Sequence, residues 1–382
     1  MRNPAPDVAP YEAATAPQPL PVLAALFRQF AAAECGQEPL YAALCGAAAA
    51  DDETLCLLWA APREQQRPNL LLAAVHDTLL AGADHPLRDY FPSLEGTRNA
   101  DAELPRHFAD FRSVHRDALL ERIRQRTTQT NEIGRCAVLW PALKSIAGRF
   151  GRARLALIDI GCSAGLNLGV DRYQYDYGDP APAPRTGSVT IQCRMVGAAR
   201  PRLDAPLEIV ERIGIDPAPL DVNDQAAVRW LRACIWPHDH ARAARFERAV
   251  ALAQKERWPV RREEDCTQAA AAIVAALPAE VLPVLFNSWV LTYFEPAALE
   301  RHQRAMELLA RRGAAWLSAE GPSLRLGGAE WPTPVEDTLE QREGTRWTLC
   351  ALDDGRLRYT PVACSHPHGK WMQWLDAASS TP

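Results

Sequence analysis

Apolar residues recur at helical spacing from Pro21 to Phe150. The stretches "VLAALFRQFAAA", "LYAALCGAAAA", "ETLCLLWAA" and "NLLLAAVHDTLLAG" each read as one helix, separated by short Pro, Gly or Asp breaks. Two longer helices are predicted over 103–126 and 131–150. In the second, Ile133, Ala137, Trp140, Leu143, Ala147 and Phe150 return every three or four residues. Pro141 falls inside that run and predicts a kink or a break. No strand pattern precedes Leu155.

The pattern changes at Leu155. "RLALIDIG" is a nearly continuous apolar run of strand length, as expected of a strand buried on both faces. Strand-like and helix-like pieces then alternate. "SVTIQCRMV" has period two and suggests an inserted hairpin strand, and "EIVERIGID" is the next strand. Helices follow over 224–234 and 239–256. After them come a short strand in "WPVRRE", the helix "CTQAAAAIVAAL", the strand "VLPVLFNSW", the helix "PAALERHQRAMELLARR" and the strand "GAAWLSAEG". The end, "RWTLCALDDGRLRYTPVA", reads as two strands joined at Asp353-Asp354-Gly355. This order predicts an α/β fold with a mostly parallel sheet and an antiparallel C-terminal hairpin. The expected division is a disordered tail over 1–20, an all-helical N-terminal domain over 21–150 and the α/β domain over 151–382.

Composition narrows the function classes. Of 382 residues, 48% are hydrophobic and 23% charged, enough for a sizeable core. The net charge of −5 gives no general attraction to nucleic acid or to acidic membranes. The basic runs 122–135 and 242–262 lie on helical sequence and read as solvated faces. Ten cysteines show no CxxC pair, and no secretory signal or membrane-length apolar run is present. A cytoplasmic protein with a small-molecule substrate is expected, with no extended nucleic-acid surface and no membrane.

The chemistry centres on "LALIDIGCSAGLNLG", residues 155–169. "GCSAG" satisfies the G-x-S-x-G pattern of a serine hydrolase, with Ser163 as nucleophile and His366 or His368 late in the chain. Against it, the sequence upstream reads as helix, no HGGG-type segment precedes the turn, and Asp159 would add negative charge beside an oxyanion. The glycine spacing is not G-x-G-x-x-G, and no P-loop is present.

"LIDIGCSAG" resembles the first motif of class I S-adenosylmethionine-dependent methyltransferases, a strand followed by (Asp/Glu)-x-Gly-x-Gly-x-Gly. Asp159, Gly161 and Gly165 match, and Ser163 replaces the middle glycine. The resemblance implies a Rossmann-like methyltransferase sheet binding S-adenosylmethionine. Backbone at the turn and a following helix N-terminus would receive the cofactor, with Ser163 and Asn167 in the loop. Asp159 would meet its ammonium, Asp216 in "RIGIDPAP" its ribose and Asp265 in "REEDCTQ" its adenine amino group. The segments "PNLLLAAVHDTLLAG", "TTQTNEIGRC", "GCSAGLNLGVDRYQYDYG", "WLRACIWPHDHAR" and "HPHGKWMQWL" are further similar to the bacterial family known as domain of unknown function 2332, over about residues 26–375. That family has no settled activity.

Four other clusters have both structural and functional readings. In "TTQTNEIGRC", Thr130 or Asn131 could cap a helix, or Gln129, Asn131, Glu132 and Arg135 could face the cofactor. The tyrosines of "GVDRYQYDYG" could stack on a planar substrate or pack on the sheet. Asn287 and Ser288, in "FNSWVLTYF", and Glu320, in "LSAEGP", end strands where the acceptor would sit. In "ACSHPHGKW", Cys364, His366 and His368 alternate as metal ligands would, but Pro367 and the lack of a fourth ligand argue against a metal. One histidine as a general base is the better use. The catalytic candidates are therefore Asn287, Glu320, His366 and His368. Methyl transfer to a small molecule is the leading expectation. A binding protein of the same fold without turnover, or a serine hydrolase, are the alternatives.

Overall fold

The computed structural model describes residues 16–36, 38–129, 131–178, 188–328, 331, 334–335 and 338–375. The chain forms two compact units, residues 1–129 with 229–240, and residues 130–228 with 241–382. Most of the expected tail, residues 1–15, lies outside the described residues, and the first helix starts at Leu20.

The first unit holds α1 (Leu20–Ala33), α2 (Pro39–Ala48), α3 (Asp52–Cys56), α4 (Pro68–Leu80), α5 (Leu104–Val114) and α6 (Arg116–Gln125). The single helix expected over 103–126 is two helices, because the chain leaves helical geometry at His115. α4 is buried on nearly every side, and around it pack Leu23, Phe27, Leu44, Leu55, Phe91 and Phe111. A later segment returns to this core. Trp230 is buried within it, and its indole N–H donates to the Thr127 carbonyl at 2.9 Å. Polar groups buried here are paired, as low-dielectric surroundings require. Asp77 accepts from Arg122 at 2.7 Å and from Arg229 at 3.0 Å. His76 lies between the Ala233 carbonyl and the Ser93 hydroxyl.

The second unit begins with α7 (Cys136–Phe150), which the sequence pattern had grouped with the N-terminal helices. Pro141 neither breaks nor ends it. Proline removes the N–H that would bond the carbonyl four residues earlier. That carbonyl, on Ala137, instead accepts from the Tyr177 hydroxyl at 2.7 Å.

The strands are β1 (Arg154–Ile160), β2 (Gln174–Asp176), β3 (Thr190–Gln192), β4 (Arg194–Val196), β5 (Glu208–Asp216), β6 (Val260–Arg262), β7 (Leu282–Ser288), β8 (Ala315–Glu320), β9 (Thr345–Asp353), β10 (Arg356–Ser365) and β11 (Trp371–Trp374). Nine of them form one mostly parallel sheet in the order β4-β11-β10-β9-β8-β7-β1-β5-β6. β1 is central and pairs in parallel with β5 and β7. That position explains its nearly continuous apolar run. The C-terminal hairpin forms as expected, with Asp354 and Gly355 at positive φ, as a two-residue hairpin turn needs. "SVTIQCRMV" is not a hairpin strand. It divides at Cys193 into β3, which pairs in parallel with β2, and β4, on the far edge of the large sheet.

The helices of this unit are α8 (Gln225–Ala233), whose last turns belong to the first unit, α9 (His240–Glu256), α10 (Cys266–Ala276), α11 (Pro296–Arg311) and α12 (Leu339–Arg342). One core of the unit joins Ile158 and Ile160 of β1 to Trp316 of β8 and Met306 of α11.

Trp230→Ala should destabilise the protein by about 3–5 kcal/mol, through lost apolar contact, the cavity and the unpaired Thr127 carbonyl. Urea denaturation followed by circular dichroism measures it. A change below 1 kcal/mol would show that the returning segment does not hold the first unit together.

Candidate functional site

The turn after β1 has left-handed backbone at three alternate positions, Gly161 (φ 71), Ser163 (φ 53) and Gly165 (φ 71). Ser163 thus adopts a conformation that costs a non-glycine residue about 1 kcal/mol or more. Three contacts impose it. The Asn131 amide donates to the Cys162 carbonyl and accepts from the Leu166 N–H, both at 2.8 Å. The Asp216 carboxylate, at the end of β5, accepts from the Ser163 N–H at 2.8 Å. Its other oxygen accepts from the Ala218 N–H at 2.8 Å. Asp216 therefore braces the turn with both oxygens. Thr130, the other capping candidate, lies outside the described residues, and Asn131 clasps the turn instead of capping α7.

The helix expected after the turn is absent. Only a 3-10 turn forms, Leu166–Gly169. The reason lies in the tyrosines that follow. The Tyr173 hydroxyl donates to the Leu166 carbonyl at 2.5 Å, and the Tyr175 hydroxyl donates to the Val170 carbonyl. Those carbonyls would otherwise accept the bonds of a continuing helix. A Cβ at Gly169 would also meet the Trp258 ring at 2.2 Å. Asn167 is buried in this turn, and its side-chain oxygen faces the Cys136 thiol at 3.4 Å. The tyrosines stack on one another and on α7, Trp140 on Tyr175 at 6.2 Å and Tyr175 on Tyr177 at 6.0 Å between ring centres. The glycines themselves are covered. A Cβ at Gly161 would strike Val290, and one at Gly165 would strike Val260.

Asp159, two residues before the turn, is 2% exposed, and its Oδ2 has no hydrogen-bond partner among the described residues. Burial, followed by the nearby Asp216, pushes its carboxyl up to about 8, against the pull of Arg135. Asp159 stands level with Phe286 of β7, and Asn287 stands level with Ile160. Side chains alternate along a strand, so Asp159 and Asn287 point to opposite faces of the sheet.

Residues 131–135 carry the charged part of the site. Glu132 is buried, pairs with Arg242 and lies 3.5 Å from Arg245. It also accepts from the Gly134 N–H at 2.8 Å. Burial works to raise its pKa, but Arg242, then His368 and Arg245, outweigh it and hold the carboxyl at about 2. Arg242 and Arg245 sit three apart on α9, where the sequence pattern had suggested only a solvated face. Arg245 leaves its Nε buried and unpartnered. Arg135 is buried, and its bonds go to neutral oxygens alone. These are the Pro367 carbonyl at 2.9 Å, the Ser288 hydroxyl at 3.0 Å and the Ser288 carbonyl at 3.3 Å. Burial lowers its pKa to about 10. Ser288 is thus held by Arg135, and the "HPHG" loop lies against residues 134–135.

Of the four catalytic candidates, Asn287 is committed on every side. Its amide donates to Ser318 Oγ at 3.0 Å and to Glu320 Oε1 at 2.7 Å, and its oxygen accepts from the Trp316 indole at 2.7 Å. Glu320 Oε1 also accepts from the Val290 and Leu291 N–H groups at 2.9 and 3.1 Å. Its Oε2 is buried and unpartnered, and burial raises its pKa. His366 accepts the His368 N–H on Nδ1 at 2.9 Å. Burial, then Lys370, lowers its pKa to about 4. Burial, then Arg242, holds His368 well below its ordinary value.

Asp265 is exposed and caps α10, accepting from the Gln268 N–H at 2.9 Å. Among the described residues, no group of three or more His, Cys, Asp or Glu side chains is placed to hold a metal ion. A cleft of about 600 Å³ adjoins the turn at Ala164, walled by Leu220, Val222, Trp258 and Val260 with Arg257 at its side. None of the site residues expected from sequence lines it.

The sequence profile of a family described as "Uncharacterized protein conserved in bacteria (DUF2332)" matches residues 24–374, and the chain belongs to that family. No curated protein and no solved structure matches the chain. No described helix is long and apolar enough to cross a membrane.

The buried Asp159 carboxyl gives a test by pH. Its folded pKa is raised to about 8, so at neutral pH the folded state holds a proton that the unfolded state has released. Its contribution to stability is complete below the unfolded value of about 3.9 and is lost as pH rises towards 8. Asp159→Asn should therefore melt higher than the parent protein at pH 7, and the gain should shrink by pH 4. A variant less stable at pH 7 would show that Asp159 is paired and ionised in the folded protein.

Proposed function

Family membership fixes no activity, so the reading starts from the site: we propose that the chain binds S-adenosylmethionine where β1, β5 and β7 end and passes its methyl group to a small molecule. The single observation that carries this reading is Asp159. Near the end of the central strand, directly before a turn with glycine-type backbone at three alternate positions, lies a buried carboxyl whose Oδ2 has no partner among the described residues. Buried polar groups without partners are rare in folded proteins and point to a ligand or to function. The strand order supports the location, because direction of winding reverses at β1, between β5 and β7. In open α/β sheets of this type, ligands bind beyond the carboxyl ends at that reversal. The resemblance of "LIDIGCSAG" to the methyltransferase motif adds the identity of the ligand.

The residues fit the cofactor in part. Asp159 would hold its ammonium. The cleft beside Ala164 has the volume of a small-molecule site, with Asp221, Asn223 and Arg257 set among its apolar walls. Asp216 sets the turn and is not assigned to the ribose, and Asp265 caps a helix and is not assigned to adenine. The bound cofactor would supply an electrophilic methyl group for in-line displacement.

The chain's own part is positioning and proton removal. Among the candidates, Glu320 keeps one oxygen, Oε2, for an acceptor's proton. Asn287, Val290 and Leu291 hold the other oxygen and so aim the group. The histidines are neutral near pH 7, and Arg242 beside His368 makes it a poor proton acceptor. Full commitment of Asn287 favours a second reading, binding without turnover, because no free amide remains there to orient an acceptor.

Calorimetric titration with S-adenosylhomocysteine should give saturable one-to-one binding, and no adduct should form on Ser163 with a fluorophosphonate probe. Glu320→Gln should keep that binding within about threefold while any methyl transfer falls by about a hundredfold or more. Absence of binding by both S-adenosylmethionine and S-adenosylhomocysteine would remove the cofactor reading, and an adduct on Ser163 would replace it with a hydrolase. Binding with no transfer to any acceptor in a metabolite extract would select the second reading.

A further inference from the structure

Arg135 is a cation almost wholly withdrawn from water, and every bond it makes goes to a neutral oxygen. Its Nη2 bonds to nothing among the described residues, and no carboxylate among them comes within ion-pairing distance. A buried charge with no directly bonded counter-ion is costly in general, and here only the longer-range pull of Glu132 and Glu320 offsets that cost. The complementary defect lies on the neighbouring strand. Asp159 ends β1, while Arg135 is bonded to Ser288 at the end of β7, and β1 pairs with β7. Asp159 Oδ2 is buried and unpartnered. Adjacent strands run about 4.8 Å apart. A cation and a carboxyl, neither bonded to an opposite charge among the described residues, therefore stand near each other at neighbouring strand ends, close enough to feel each other's charge.

We infer that Arg135 and Asp159 form a clamp for the α-amino-acid end of a ligand, the guanidinium taking the α-carboxylate and Asp159 the α-ammonium. The absence of a helix after the glycine turn makes Arg135 necessary. With only a 3-10 turn over Leu166–Gly169, no helix N-terminus is available to a carboxylate there. Glu132 makes its short charged contacts with Arg242 and Arg245, so it and Glu320 act on Arg135 only through longer-range charge and neither is bonded to it. The Pro367 and Ser288 carbonyls fix the guanidinium plane, so Arg135 enters the complex already oriented.

The ligand's amino-acid end has two sources, the cofactor of the proposed reading or a free amino acid, and this inference rests on that reading only for the first. Three probes separate them by calorimetry: S-adenosylhomocysteine, 5′-deoxy-5′-methylthioadenosine, which lacks the amino-acid end, and L-methionine. S-adenosylhomocysteine should bind at least tenfold tighter than methylthioadenosine. Arg135→Met and Asp159→Asn should each remove that advantage and leave methylthioadenosine binding unchanged, which also shows that the nucleoside side of the site has survived. If Arg135→Met does not fold, Asp159→Asn decides alone. Equal affinity for the two nucleosides, or an advantage that survives in the folded variants, overturns the clamp and leaves the cofactor reading standing. Binding of L-methionine with neither nucleoside bound, lost in Asp159→Asn, keeps the clamp and removes the cofactor. No binding of any probe overturns both.

Discussion

The buried pair between Glu132 and Arg242 organises everything around the glycine turn. A carboxylate at that depth has to be ionised against a positive partner or stay protonated, and Arg242 decides for ionisation. Once ionised, its second oxygen also accepts the Gly134 N–H and draws Arg245 in from the next turn of α9. This locks the short segment that carries two grips, Asn131 and Arg135, within five residues. Asn131 on one side grips the turn from β1. Arg135 on the other grips the end of β7 and the loop before β11. One ion pair thus stands between the grips on the turn after β1 and on the end of β7.

The large sheet was legible because its inner strands have only one way to be written. β1 and β7 are buried on both faces, so their sequences are nearly continuous apolar runs broken only at their ends, and the β9–β10 turn carries residues that accept positive φ. The edge strands were not legible. β4 has three residues and β11 four, and they pair with each other across nearly the whole second unit, which no local pattern can announce. Pro141 misled in the other direction. The rule about its missing N–H holds, and a hydroxyl distant in sequence supplies the lost donor.

The site divides in the same way. The acids that end strands, Asp159, Asp216 and Glu320, could be placed from sequence, because strand ends could. What each acid does depends on which partners reach it, and those come from elsewhere in the chain. Asp216 is taken by backbone N–H groups of the turn. Half of Glu320 is taken by Asn287 and the chain beyond it. Asp159 keeps its Oδ2 without a partner among the described residues. Arg242 and Arg245 looked like a solvated face, since basic residues three apart on a helix usually are. Only the fold shows the buried carboxylate opposite them.

The contact between Tyr177 and the carbonyl freed by Pro141 has an evolutionary side. The proline depends on the tyrosine hydroxyl, so the tyrosine cannot be lost while the proline stays. A relative with an ordinary helix former at position 141 has its own N–H for the Ala137 carbonyl and is free to carry phenylalanine at 177. A relative that keeps the proline needs a donor where the Tyr177 hydroxyl stands. Down the lineages of the family, the proline should therefore go before the hydroxyl does. Through that pair, the history of the inserted segment that carries the tyrosines is bound to the history of α7.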